Sequence, residues 1–146
     1  MADVPYASLL NRRIPAAGRQ LVPAAAGVYA WWSRDDIKQA EDSPYGASVR
    51  PLYIGAARNL AASVTDDAAG PSDTFLRKHL ATDLSQQIGL RPRTSAEQRP
   101  LTIGERQRID HWISANLLVS WSELPHPTAY RDALVRALDP QFKPKD

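Results

Sequence analysis

Two short apolar runs constrain this chain more than anything else in it. The first is Ala26-Gly27-Val28-Tyr29-Ala30-Trp31-Trp32-Ser33 and the second is Pro51-Leu52-Tyr53-Ile54-Gly55-Ala56-Ala57. Both carry β-branched and aromatic residues and are bounded by Gly, Pro, Ser or charge, which marks strands. Side chains alternate between faces along a strand. Val28, Ala30 and Trp32 therefore share one face, with Tyr29 and Trp31 on the other. Leu52 and Ile54 are expected to share a face, with Tyr53 opposite. Pairing the runs with their apolar residues buried together brings Tyr29 and Tyr53 onto one common face. Two phenols and two nearby glycines then make an open, polar patch on a sheet.

The remaining segments surround this pair. Residues 1–25 read as a lead-in that packs Leu9 and Leu10 on the core; Arg12, Arg13 and Arg19 also allow a basic arm for phosphate contact. Arg34 to Glu41 suggests a short helix, and Ser43-Pro44-Tyr45-Gly46 is turn chemistry. A helix is expected from about Asn59, cut short by Thr65, Asp66, Asp67, Gly70 and Pro71. Ser72 or Asp73 can cap the next helix, whose Leu76, Leu80, Leu84 and Ile88 recur every four residues before Gly89 ends it. Residues 90–100 form a polar, basic loop. Thr102-Ile103-Gly104-Glu105 has capping-box spacing and opens a helix with Ile109, Trp112 and Ile113 on one face. Leu117 to Leu124 is a third strand. Thr128 can cap a last helix that carries Tyr130, Ala133, Leu134, Ala137 and Leu138. The order predicts an α/β domain over residues 26–146: a small, mostly antiparallel, three-stranded sheet flanked by helices.

The totals narrow the chemistry. A chain of 146 residues with 43% hydrophobic content suits one domain with its own core. It has no cysteine, so disulfides, thiolate metal sites and cysteine nucleophiles are excluded together. No apolar run is long enough to span a bilayer and no signal peptide is visible, so a cytoplasmic protein is expected. Eighteen basic and sixteen acidic residues give a net charge of +2, which does not by itself argue for nucleic acid.

The ordered set Gly27-Val28-Tyr29, Tyr53-Ile54-Gly55, Asn59-Leu60 and the terminal Leu138-Asp139-Pro140-Gln141-Phe142 resembles the GIY-YIG nuclease superfamily, from Gly27 to Lys143. Thr74-Phe75-Leu76-Arg77 and Trp121 are similar to further features of bacterial members. The resemblance implies a three-stranded sheet, Tyr29 and Tyr53 as the motif tyrosines, and cleavage of a phosphodiester around one divalent metal. It also implies two charged groups that this chain lacks. The family's helix Asn-Leu-x-x-Arg-Ile supplies a phosphate-binding arginine, and that position holds Ser63. The family's metal-binding glutamate position holds Arg131, and its closing asparagine position holds Lys143. The stretch from Thr65 to Ser72 also lacks the histidine that many members carry there.

Phosphodiester cleavage needs an activated nucleophile and positive charge on the transition-state oxygens. A serine is short and neutral, and Arg131 puts a cation where a cation should bind. The expectation is a catalytically impaired relative that binds DNA or RNA through the former active-site groove. Arg58, Arg77, Lys78, Arg131 and Lys143 would surround a phosphate without a metal, so no cofactor is expected. One alternative is a working Mg2+-dependent endonuclease with relocated ligands, for which Glu123 and Asp132 are the candidates. Another is a protein-binding module on a nuclease fold. His79, His111 and His126 have no metal-ligand spacing. Trp31, Trp32, Trp112 and Trp121 read as core packing rather than as base-stacking platforms.

Overall fold

The computed structural model describes residues 9–10, 12–42, 49–69, 72–93 and 100–143. Strand β2 (Gly27–Ser33) runs through its middle and is buried at every position but the last. It pairs antiparallel with β3 (Tyr53–Ala57) on one side and with β4 (Leu117–Glu123) on the other. A two-residue strand β1 (Ile14–Pro15) adds to the outer edge of β4, giving four strands in the order β1-β4-β2-β3. The three-stranded expectation is thereby corrected. Two residues are too few to show a period, and Pro15 is tolerated only because β1 is an edge. Among the described residues no helix is long and apolar enough to cross a membrane.

The alternation along β2 sorts the core into two layers. Tyr29 and Trp31 pack with Val119 and Leu117 of β4 and with a 3-10 helix (Ala16–Leu21). The same layer takes helices α2 (Leu60–Ala69), α3 (Phe75–Asp83) and α5 (Ile103–Asn116), through Leu60, Val64, Leu76, Leu80, Ile109 and Ile113. Val28, Ala30, Trp32 and Ile54 face the other way, onto Leu9, helix α1 (Arg34–Asp42) through Ile37, and helix α6 (Pro127–Leu138) through Leu134 and Leu138. Leu52 departs from its expected face. It precedes β3, donates its N–H to the Trp31 carbonyl at 2.7 Å, and packs in the Tyr29 layer while Ile54 packs in the other.

Several helix ends differ from their sequence reading. α2 is capped by Asn59, whose Oδ1 accepts the Ala62 N–H at 3.1 Å, and it runs on through Thr65, Asp66 and Asp67. The expected break fails because the Asp67 side chain is taken up by tertiary hydrogen bonds, which override its weak helix propensity. Thr74, not Ser72 or Asp73, caps α3. Asp73 instead accepts the Leu101 N–H at 2.9 Å and Arg106 Nε at 3.0 Å, tying α3 to the start of α5. A short helix α4 (Ser85–Ile88) follows a kink at Leu84, and Gly89 closes it with φ of 83°. The capping box of Thr102 and Glu105 forms as expected. α6 starts at Pro127, and its Ala133 and Ala137 are exposed rather than on the buried face. The turn at residues 43–46 and most of the basic loop, 94–99, lie outside the described residues.

Candidate functional site

β2 and β3 set Tyr29 opposite Gly55 and Trp31 opposite Tyr53. Side chains one step off the pair lie on the same face, so the two phenols meet with ring centroids 6.1 Å apart, edge to face. The arrangement needs Gly55: a Cβ there would lie 2.4 Å from Cζ and 2.5 Å from the hydroxyl of Tyr29. The ring of Tyr29 thus lies across the Gly55 backbone. From Tyr53 the rings continue to Phe75 at 5.2 Å, to His79 at a further 4.2 Å and to Phe142 at 5.3 Å. This row runs from the sheet across α3 to the C-terminal segment.

The patch is less open than the sequence suggests. Tyr29 is only 5% exposed and Tyr53 is half-buried. Near them lies Asp67 of α2, 4% exposed, which accepts Trp31 Nε1 at 3.0 Å, with the Tyr29 and Thr74 hydroxyls close enough to favour its ionised form. Burial pushes its carboxyl up from 3.8 to about 6, while those donors and nearby Arg77 pull it back. Burial also raises the Tyr29 phenol well above its ordinary value, helped by Asp67 and Tyr53. The Tyr53 phenol is raised as well, by burial and then Asp67, with Arg131 acting in the opposite sense. Both tyrosines are therefore neutral donors at any physiological pH, not phenolates.

The candidate cations divide sharply. Arg77 is fully buried, so its reading as a nucleic-acid contact is corrected. Its guanidinium meets Asp110 of α5 at 2.5 Å and the carbonyls of Asp67 and Arg106 at 3.3 Å each. It sits beside the leucine stripe of α3, and Asp110 pulls it inward. Arg131 is half-buried, is near enough for its charge to lower the Tyr53 phenol, and binds Asp132 through Nε at 3.2 Å and Nη2 at 3.0 Å. Lys143 pairs with Asp139, which also holds Arg50 at 3.4 Å. Arg58 and Lys78 are exposed. Arg58 lines an open groove with Ala56, Pro125, His126 and Thr128, at the start of α6. Ser63 is half-buried on α2.

The alternative metal ligands are scattered. Glu123 is exposed at the end of β4, paired with Gly27 and two residues beyond Trp121, the β4 partner of Tyr29. Asp132 is exposed on α6 and occupied by Arg131. Among the described residues no three of His, Asp and Glu converge on one point.

Asp67, Thr74 and Asp110 are the residues that sequence reasoning missed. One signal was present. Leu60, Val64, Asp67 and Ala68 fall at i, i+4, i+7 and i+8, so Asp67 occupies the apolar stripe of α2. An acid in such a stripe is buried and must be hydrogen-bonded.

Asp67 also makes a stability prediction. Its folded-state carboxyl titrates near 6 against an ordinary 3.8, so the folded protein holds that proton more tightly than the unfolded chain. Stability should therefore decline as pH rises between these values, by about 3 kcal/mol. Asp73 works in the opposite sense. Burial favours its proton, but the Leu101 N–H and Arg106 hold its carboxyl below the usual range, so its contribution is lost only in stronger acid. Urea unfolding across this range should show the decline in the native protein and its loss in Asp67→Asn. Equal slopes in the two proteins would assign the decline elsewhere.

Comparisons with known proteins returned nothing: no family model, no curated protein and no solved structure matches this chain.

Proposed function

We propose that this chain is a GIY-YIG-type domain that binds nucleic acid in the groove beside Tyr53 and has lost metal-dependent cleavage. The observation that carries the reading is the register. Tyr29 and Tyr53 share one face of adjacent antiparallel strands, Gly55 accommodates the Tyr29 ring, and the charge of Arg131 acts on the Tyr53 phenol. Tyr29 is buried and burial holds its phenol neutral, so it is not placed to take a proton from water. Arg131 would repel a divalent ion but suits a phosphate oxygen. Arg58 and Lys78 are exposed cations, whereas Arg77 is withdrawn into the core and Lys143 is held by Asp139.

Oligonucleotide binding should weaken about tenfold or more when salt is raised from about 50 to about 200 mM, as expected for a few phosphate contacts. Arg58→Ala and Arg131→Ala should each reduce both the affinity and the salt slope. Magnesium or manganese should support no cleavage. The double change Ser63→Arg with Arg131→Glu should gain magnesium binding, with at most weak cleavage, because the two groups act on one transition state and are not additive. Robust magnesium-dependent cleavage by the native protein, abolished by Tyr29→Phe, would overturn the reading and point to Glu123 or Asp132.

A second reading, a protein-binding module, is favoured by the ion pairs. Asp132 and Asp139 already neutralise Arg131 and Lys143 within the chain. Salt-insensitive behaviour, or no binding to DNA or RNA at low salt, would select it.

A further inference from the structure

After α6 the chain turns back onto the sheet. Asp139 makes the turn with a left-handed backbone, φ 52°, and the next residues lie alongside those that lead into β3. There Gln141 gives its N–H to the Pro51 carbonyl at 3.0 Å and Phe142 gives its N–H to the Leu52 carbonyl at 2.8 Å. Arg50 holds the turn, donating Nε to the Asp139 carbonyl at 2.7 Å and pairing with the Asp139 carboxylate at 3.4 Å. At the far end Phe142, 4% exposed, stacks on the imidazole of His79, with centroids 5.3 Å apart and planes 23° from parallel. A second ring, Phe75, lies 4.2 Å from the same imidazole, and Asp83 Oδ2 is 3.6 Å from its Nδ1. We propose that His79 is a pH-sensitive latch on this C-terminal strap: a proton on the imidazole tightens the seat of Phe142 against α3, and its loss loosens it. The inference does not depend on the nucleic-acid reading.

The sign follows from what surrounds the ring. Histidine is the side chain whose charge changes between pH 5 and 8. A neutral imidazole meets Phe142 as one more aromatic ring, whereas an imidazolium is also drawn to its negative π face. Phe75 and Asp83 attract the same charge, but they sit on α3 with His79 and stay beside it when the strap lifts. Only the Phe142 contact is therefore coupled to closure. The closed strap holds the proton more tightly than the open one, so closure is favoured at low pH and weakens as pH rises.

The charged groups on the elements around α3 leave this coupling to His79. On α3 itself Arg77 binds Asp110 and Lys78 is exposed. The strap brings Asp139 and Lys143, which pair with each other, and Asp139 also holds Arg50. β3 brings Tyr53, whose phenol is raised and neutral. From α5 come Asp110 and Arg106, the latter bonded to Asp73, and α4 carries no charged residue. α2 brings exposed Asp66 and buried Asp67, which is bonded to Trp31 and titrates near 6, so its effect on global stability must be separated in the test. Gln141 of the strap also walls a cavity of about 560 Å³ with Ser33, Asp36, Leu84, Trp112 and Asn116, so loosening the latch opens that cavity together with the start of β3.

The test is native-state amide exchange of the full chain from about pH 5.5 to about pH 8, corrected for the intrinsic pH dependence of exchange. Gln141 and Phe142 are read against amides of the central strand β2. The β2 amides report global opening, including the Asp67 contribution, so the ratio isolates the strap. Strap protection relative to β2 should be about fivefold higher at the acid end, as for one partly exposed cation–π contact. His79→Gln should hold the ratio at its low level at every pH. His79→Arg should hold it at its high level, because a guanidinium stacks on a ring and keeps its proton. Phe142→Leu keeps an apolar anchor and both N–H groups but should lose the pH dependence. A flat ratio in the native protein would overturn the latch, and so would a pH dependence that survives in His79→Gln or Phe142→Leu. Strap amides that exchange only together with β2 would make the segment an inseparable part of the core and would overturn the latch as well.

Discussion

Replacing Arg77 by Met should lower stability by about 3 kcal/mol and leave the protein close to unfolding at 37 °C. The side chain is a fully buried guanidinium paired with a carboxylate. It is held by Asp110 at 2.5 Å and by the carbonyls of Asp67 and Arg106, while its Nε is buried with no partner among the described residues. Met fills much of the volume but withdraws donors from three acceptors on two helices. The companion change Asp110→Asn should cost at least as much. Asp110 is 35% exposed and can rehydrate when its partner leaves, whereas Arg77 at 0% cannot. Removing the acid strands the base, and removing the base does not fully strand the acid. Urea unfolding monitored by tryptophan fluorescence reads both costs. A midpoint within experimental error of the native value for Arg77→Met would mean that this cation is not structural.

That result bears on how far the sequence could be read. The Tyr29 and Tyr53 faces were legible because both strands are short, apolar and strictly alternating, and the capping box was legible because its two partners are three residues apart. Each of these signals is local. Arg77 was not legible, since its role depends on Asp110, thirty-three residues away on another helix. By sequence alone it joins Lys78 and His79 in a basic cluster that looks like a phosphate contact. The same limit hid Asp67. Its neighbours Thr65, Asp66, Gly70 and Pro71 argue for a loop, and only the fold shows that Trp31 supplies a hydrogen bond that lets it stay helical and buried. Leu52 failed for a different reason. Alternation holds only while the chain is in the ladder, and β3 begins one residue after it.

The two motif glycines should separate stability from function. A Cβ at Gly27 would stand 2.2 Å from the Ser122 carbonyl oxygen and 2.7 Å from Leu60 Cδ1. The first neighbour is backbone in the paired strand β4, so Gly27→Ala must pry β2 from β4 or push α2 away. The cost should reach about 3 kcal/mol or more, at the severe end for overpacking. At Gly55 the Cβ meets only the tip of the Tyr29 ring, at 2.4 to 2.6 Å. A ring tip yields more readily than a backbone, but this ring is 95% buried, so moving it means repacking the layer around it. Gly55→Ala should therefore cost less in stability, about 1 to 3 kcal/mol, while displacing Tyr29 from both Asp67 and Tyr53. The distinguishing measurement pairs thermal unfolding with tyrosine 13Cζ spectra. Gly27→Ala should lower the melting temperature most, whereas Gly55→Ala should shift the Tyr29 and Tyr53 resonances in a protein that stays folded. If Gly55→Ala left those resonances in place, the ring would have room that this packing denies it, and Gly55 would be a strand residue with no part in aiming the phenols.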